Sequence, residues 1–130
     1  MTATIETTAD LKARAFAYID AVGRRDFDRV AELLHPDLEF VGPGKPLHGA
    51  AAYLAALRRL GTVLVRNDVH TVVADGADAC IFYDFVTDTD VGAVPSAEWI
   101  SFDGGLIRSL RLVFHTASWP RVMEEVARRG

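Results

Sequence analysis

The sequence predicts an α+β domain in which three helices come first and a meander of antiparallel strands follows. The spacing of apolar residues carries this reading. It is helical up to Leu60 and close to two, the period of strands, from Val63 onward. Turn signals at Asp75-Gly76, Thr89-Asp90-Val91-Gly92 and Asp103-Gly104-Gly105 separate successive strands by loops short enough for antiparallel pairing. Helices grouped before strands favour α+β over a doubly wound parallel sheet.

Residues 1–7 read as a loose tail. Thr8 or Asp10 is the expected cap of a first helix reaching about Val22, with Leu11, Ala15, Tyr18, Ile19 and Val22 as its apolar stripe. Gly23 stops it. Asp26 caps a second helix with Phe27, Val30, Ala31, Leu33 and Leu34 on its apolar side, ended by His35-Pro36. Leu38–Val41 is a short strand and 42–46 a rigid Gly/Pro loop. His48-Gly49 leads into a third helix, Ala50 to about Leu60, closed by Gly61. Strands follow at Val63–Ala74 (with a break near Asn67-Asp68), Ala79–Asp88, Val94–Phe102 and Leu106–His115. Ser118 caps a last helix, Trp119–Arg128, with Pro120 in its first turn.

The stretch Cys80–Val86 reads as a strand buried on both faces. Ile81, Tyr83 and Phe85 share one face; Cys80, Phe82, Asp84 and Val86 share the other. Asp84 is the anomaly. A carboxylate among such neighbours is paired, raised in pKa, or set at the wet mouth of a cavity, and a solvated Asp near a strand end is the plain alternative.

Length and composition set the bounds. The 130 residues fit one domain spanning 1–130, and half are hydrophobic, enough for a sizeable core. A net charge of −4 and a pI near 5.5 argue against nucleic acid or an anionic membrane as partner. The single Cys80 excludes an intrachain disulfide and reads as a buried, inert thiol. His35, His48, His70 and His115 have no metal-ligand spacing, so neither metal nor cofactor is expected. No apolar run reaches the roughly 18 residues of a membrane span. Met1–Asp10 is polar and lacks a secretory apolar core, so a cytoplasmic setting is expected.

The element order and the run from Tyr18 through Gly23-Arg24-Arg25-Asp26-Phe27-Asp28 resemble the nuclear-transport-factor-2-like superfamily. The closest resemblance is to the SnoaL-like polyketide cyclases and ketosteroid isomerases. Leu33-Leu34-His35-Pro36-Asp37, Phe40-Val41-Gly42-Pro43, His48-Gly49 and Phe102-Asp103-Gly104-Gly105-Leu106-Ile107 fall in that family's order, over roughly residues 11–116. The resemblance implies a cone-shaped curved antiparallel sheet wrapped around the three N-terminal helices. It also implies an apolar pocket at the open end and a homodimer through the convex face.

Residue by residue, Tyr18 matches the oxyanion-hole tyrosine of the isomerases, and Glu98 matches their protonated acid, an Asp there. Their general base is an Asp directly before a Pro; here that position is Gly42, ahead of Pro43, so the base is absent. The resemblance also implies that Phe82, Asp84 and Val86 face the cavity. Ile81, Tyr83 and Phe85 would then join Trp99 on the outer face, an apolar patch best covered by a second copy.

The catalytic candidates are Glu98, Asp84 and Tyr18, two carboxyls to handle protons and a phenol to polarise an oxygen. The expected lining for substrate is Phe40, Phe82, Ile100, Phe102, Leu110, Leu112 and Phe114. Such a site suits a small hydrophobic carbonyl or epoxide and an isomerase, cyclase, dehydratase or epoxide hydrolase reaction. An Asp-Arg-Asp set of the epoxide-hydrolase kind would need Arg108 or Arg111, neither of which alternation places clearly with both acids. The other reading is a non-catalytic ligand-binding or assembly module of the same fold.

Overall fold

Thr7 caps helix α1 (Thr8–Gly23) in a reciprocal box. Its hydroxyl accepts the Asp10 N–H at 3.1 Å while the Asp10 carboxylate accepts the Thr7 N–H at 3.2 Å. The cap is thus one residue before Thr8, and Asp10 is its partner. The computed structural model describes residues 7–130; of the expected loose tail, residues 1–6 lie outside the described residues. Leu11, Ala15, Tyr18, Ile19 and Val22 are buried, as the stripe requires. Asp26 caps α2 (Phe27–Leu33) by accepting the Arg29 N–H at 3.2 Å.

Strand β1 (Leu34–Val41) begins before Pro36, earlier than expected. The proline is tolerated because the ladder is irregular between Leu34 and Glu39. Then come the two-residue β2 (Leu47–His48), α3 (Ala50–Leu60), β3 (Leu64–Asp75), β4 (Asp78–Thr87), β5 (Ala93–Asp103) and β6 (Leu106–Phe114). A 3-10 turn at Thr116–Ser118 leads into α4 (Trp119–Arg129). The strands form one open sheet in the order β2-β1-β6-β5-β4-β3. Pairing is antiparallel except between β1 and β6, which run parallel; they are far apart in the chain and no hairpin joins them. Bulges at Leu64/Arg66, Val69/Thr71 and Ser101/Phe102 bend the strands, and the sheet curves around the helices.

The predicted break at Asn67-Asp68 lies between the two bulges of β3. There the end of α1 comes down onto the strand. A Cβ on Gly23 would stand 2.7 Å from the Asn67 backbone nitrogen, so only glycine allows this approach. Asn67 Nδ2 also donates to the Ile19 carbonyl at 3.1 Å.

The faces of β4 are the reverse of those expected. Ile81, Tyr83 and Phe85 point to the helices and are buried; Phe82 is 44% exposed on the outer face with Trp99, 49% exposed. The cause is Asp84: burying its charge unpaired would cost several kcal/mol, whereas Tyr83 can satisfy its hydroxyl inside. Asp84 instead meets His70 across the β3–β4 ladder, 3.2 Å away at the surface. Cys80 shares this outer face and is half-buried. The outer face stays apolar with other members, Val73, Phe82, Trp99 and Val113, and Arg111 lies over the Trp99 ring at 5.3 Å.

Candidate functional site

The concave side encloses a cavity of about 260 Å³. Its deep wall is Tyr18 from α1, Tyr53 from α3, Tyr83 from β4 and Glu98 from β5, all buried. Phe40, Phe85, Leu112 and Phe114 give an apolar body. Trp119, at the start of α4, closes one side, 4.7 Å from Phe114 and 6.1 Å from Phe85 between ring centroids. Val122 and Val126 of α4 pack on Val63 and hold the helix there, and Arg129 pairs with Asp88 at 2.8 Å. The lining residues open to solvent are Pro43, Gly44 and Lys45 of the β1–β2 loop, Ala56 and Arg59 of α3, and Met123 of α4; they mark the mouth.

Glu98 is 2% exposed and both its oxygens are held. Tyr18 Oη donates to Oε2 at 2.7 Å and Tyr83 Oη donates to Oε1 at 2.8 Å. Tyr18 Oη is also hydrogen-bonded to Tyr53 Oη. The proton count decides what this cluster offers. With Glu98 ionised, three hydroxyl protons serve three internal bonds: Tyr53 to Tyr18, Tyr18 to Glu98, Tyr83 to Glu98. None is left over. One more proton, on Glu98 Oε2, reverses the chain, since Glu98 then donates to Tyr18 and Tyr18 to Tyr53. That frees the Tyr53 hydroxyl proton for an acceptor in the cavity. On Oε1 the proton would reverse the Tyr83 bond instead.

Burial raises the Glu98 pKa above its ordinary 4.5, against the lowering effect of the Tyr18 and Tyr83 hydrogen bonds. Burial first, then the Glu98 charge, hold all three tyrosines well above their ordinary 10.0, so they are neutral donors. Asn67 also lines the cavity, and its Oδ1 is buried without a hydrogen-bond partner among the described residues.

Residues 15–110, most of the chain, match the SnoaL-like domain. The chain belongs to the SnoaL-like domain family. No curated protein matches it in sequence. Among solved structures, a protein from Kribbella flavida DSM 17836 is 25% identical with a TM-score of 0.81, covering 95% of this chain and 100% of that one. A steroid delta-isomerase from Pseudomonas aeruginosa is 25% identical with a TM-score of 0.75, covering 97% and 95%. An M. tuberculosis LEH-like epoxide hydrolase shares the fold at 21% identity and a TM-score of 0.74, covering 92% and 93%.

Within this SnoaL-like cone the sequence-derived candidates divide. Glu98, Tyr18, Phe40, Leu112 and Phe114 line the cavity. Ile100, Phe102 and Leu110 share the inner face but not the cavity; they lie toward the β5–β6 turn, where Arg14 of α1 reaches the Gly105 carbonyl at 3.0 Å. Phe82 and Asp84 are on the other side of the sheet from Glu98 and the cavity. Arg108 donates to the Asp37 carbonyl and Arg111 covers Trp99, so no Asp-Arg-Asp set is assembled. At Gly42 the space for a side chain is taken: an added Cβ would meet the Phe40 ring at 2.9 Å. That ring is itself packed on Tyr53 at 4.9 Å. Among the described residues Glu98 is the one carboxylate lining the cavity. Tyr53 and Tyr83 are the members sequence reasoning missed: Tyr83 was expected on the outer face, and for Tyr53 a hydroxyl four residues before Leu57 on the apolar side of α3 was the available signal.

Proposed function

We propose that this domain binds a small, largely apolar molecule through a carbonyl or epoxide oxygen seated at the tyrosine cluster, and that protonated Glu98 activates that oxygen. The observation carrying the reading is the proton count: a cluster deep in an apolar cavity gains an outward donor only when Glu98 is protonated. In an epoxide opening, the proton passes to the ring oxygen as the C–O bond breaks; water adds to the carbon, and the proton it sheds restores Glu98. In an isomerisation or an aldol-type closure of a polyketide-like chain, the same donor holds the enolate oxygen while the α-proton passes to a solvent water entering at the mouth, Glu98 being already protonated. The isomerase and epoxide hydrolase among the structural relatives support this class of chemistry.

Glu98→Gln tests it. The amide can donate to Tyr18 as the protonated acid does, so ketone binding persists, but it has no proton to give. Retained binding with turnover reduced about 10²- to 10⁴-fold is expected; equal turnover in both proteins rejects the proposal. A second reading, a binding module without chemistry, draws on the lack of any other carboxylate in the cavity among the described residues and on Phe40 filling the place beside Gly42. Binding with no turnover in the wild type would select it. The proposal extends to a homodimer through the outer sheet face, supported by exposed Phe82, Trp99 and Val113, and to a cytoplasmic setting, in keeping with the free Cys80.

A further inference from the structure

Six arginines of this acidic chain are paired with acids, Arg24 with Asp20, Arg29 with Glu32, Arg66 with Asp68, Arg121 with Asp90, and Arg128 and Arg129 with Glu125; Arg25 and Arg108 donate to backbone carbonyls, and Arg58 and Arg111 lie over aromatic rings. Lys45 and Arg59 differ. Both are exposed, both line the cavity mouth, and neither has an ion pair or side-chain hydrogen bond among the described residues. Among the described residues no acid shares the mouth with them; Glu98 is at the buried end. Arg59 is in the last turn of α3, where a cation also suits the helix carbonyls, but Lys45 is on a loop with no such role.

Resting on the reading above, we infer that the natural ligand is an acid: an apolar body with a carbonyl or epoxide oxygen at one end and a carboxylate at the other, held at the mouth by Lys45 and Arg59. A carboxylate fits better than a phosphate. Phosphate sites draw on helix N-termini or successive backbone N–H groups. Here α3 presents its C-terminal half to the mouth, Pro43 has no N–H to offer, and the one helix start at the cavity among the described residues, that of α4 at Trp119, carries Pro120, which also lacks an N–H, in its first turn.

The test compares 5-oxo-5-phenylpentanoate with its methyl ester and with the corresponding phosphonate, by calorimetric titration at low and physiological salt. The acid is expected to bind roughly fivefold tighter than the ester, a size set by solvent-exposed ion pairs. The advantage should shrink with added salt. It should vanish in Lys45→Gln/Arg59→Gln and reverse in Lys45→Glu/Arg59→Glu, with ester affinity unchanged in both. Equal binding of acid and ester in the wild type overturns the inference while leaving the Glu98 reading intact. A phosphonate preferred over the acid overturns the carboxylate assignment. Binding of neither acid nor ester overturns both the inference and the reading beneath it.

Discussion

Tyr83 reaches Glu98 diagonally across the β4–β5 ladder. Its directly opposed partner is Ser96, yet its hydroxyl donates to Glu98 Oε1 at 2.8 Å. Ile81, opposite Glu98, fills the space beneath and keeps water from the carboxyl. The acid is thus buried among aliphatic neighbours and steadied by phenols, which keeps it in place in either protonation state. Removing the Tyr83 hydroxyl leaves Oε1 buried without a donor. Tyr83→Phe should cost about 1–3 kcal/mol in chemical denaturation and raise the Glu98 pKa further. A stability unchanged from wild type would mean that the hydroxyl does not hold the acid.

The pH dependence follows from Glu98. Its folded pKa lies above its unfolded one, so the native state binds more protons in that window. Stability from this group is fully present below pH 4.5 and is lost as pH rises through the folded pKa. Asp10 and Glu125, whose pKa values are lowered, act in the opposite sense at lower pH. The difference between wild type and Glu98→Gln isolates the Glu98 contribution. Across that window the wild type should lose stability relative to the variant as pH rises. Ketone affinity should fall over the same range in the wild type and stay flat in the variant, since only protonated Glu98 frees a donor. Parallel pH profiles for the two proteins would contradict both expectations.

How far the sequence reveals this site depends on the length scale. The stripe of α1, the caps and the hairpin turns are local patterns, and they place Tyr18 and the strands. Glu98 was singled out by the family resemblance, and alternation within β5 sets it with Ser96 and Ile100 whichever way the strand faces. The facing of β4 is not local, since it depends on what covers each side of the sheet. The resemblance favoured the set with Asp84, but the desolvation cost of that one charge outweighs it and turns the strand over. The parallel β1–β6 pairing and the mouth formed by Lys45, Arg59 and α4 join residues far apart in sequence, and no short-range pattern records them.

Asp84 separates the two sides of the sheet experimentally. Its partner is His70, 3.2 Å away and largely exposed. Asp84→Asn should change stability by less than about 0.5 kcal/mol and leave ligand affinity within twofold of wild type. A loss of binding or turnover comparable to that of Glu98→Gln would return Asp84 to the site.

Restoring a carboxylate at position 42 requires room as well as charge. Gly42→Asp alone pushes its Cβ into the Phe40 ring and should destabilise the fold by about 1–3 kcal/mol, the range for overpacking. Phe40→Ala/Gly42→Asp clears that contact but opens the wall beside Tyr53. If a carboxylate there can act as a base, proton exchange at the α-carbon of a bound ketone should accelerate in the double variant and not in Phe40→Ala. Equal exchange in these two proteins would show that the cavity cannot use a base from this side.

The outer face gives the last prediction. Phe82 is opposed by Thr71 and Ala97, and Trp99 by Cys80 and Arg111, so the two large rings stand on adjacent strands with Val73 and Val113 beside them. Soluble monomers rarely leave such a patch uncovered. Sedimentation should therefore give twice the chain mass of 14.2 kDa at micromolar concentration. Phe82→Lys, which puts a charge into a copy-to-copy contact, should return the protein to a monomer. Because Phe82 points away from the cavity, the monomer should still bind ketone. A wild type that sediments as a monomer would remove the proposed dimer without touching the Glu98 site. A dimer unaffected by Phe82→Lys would move the interface to another surface.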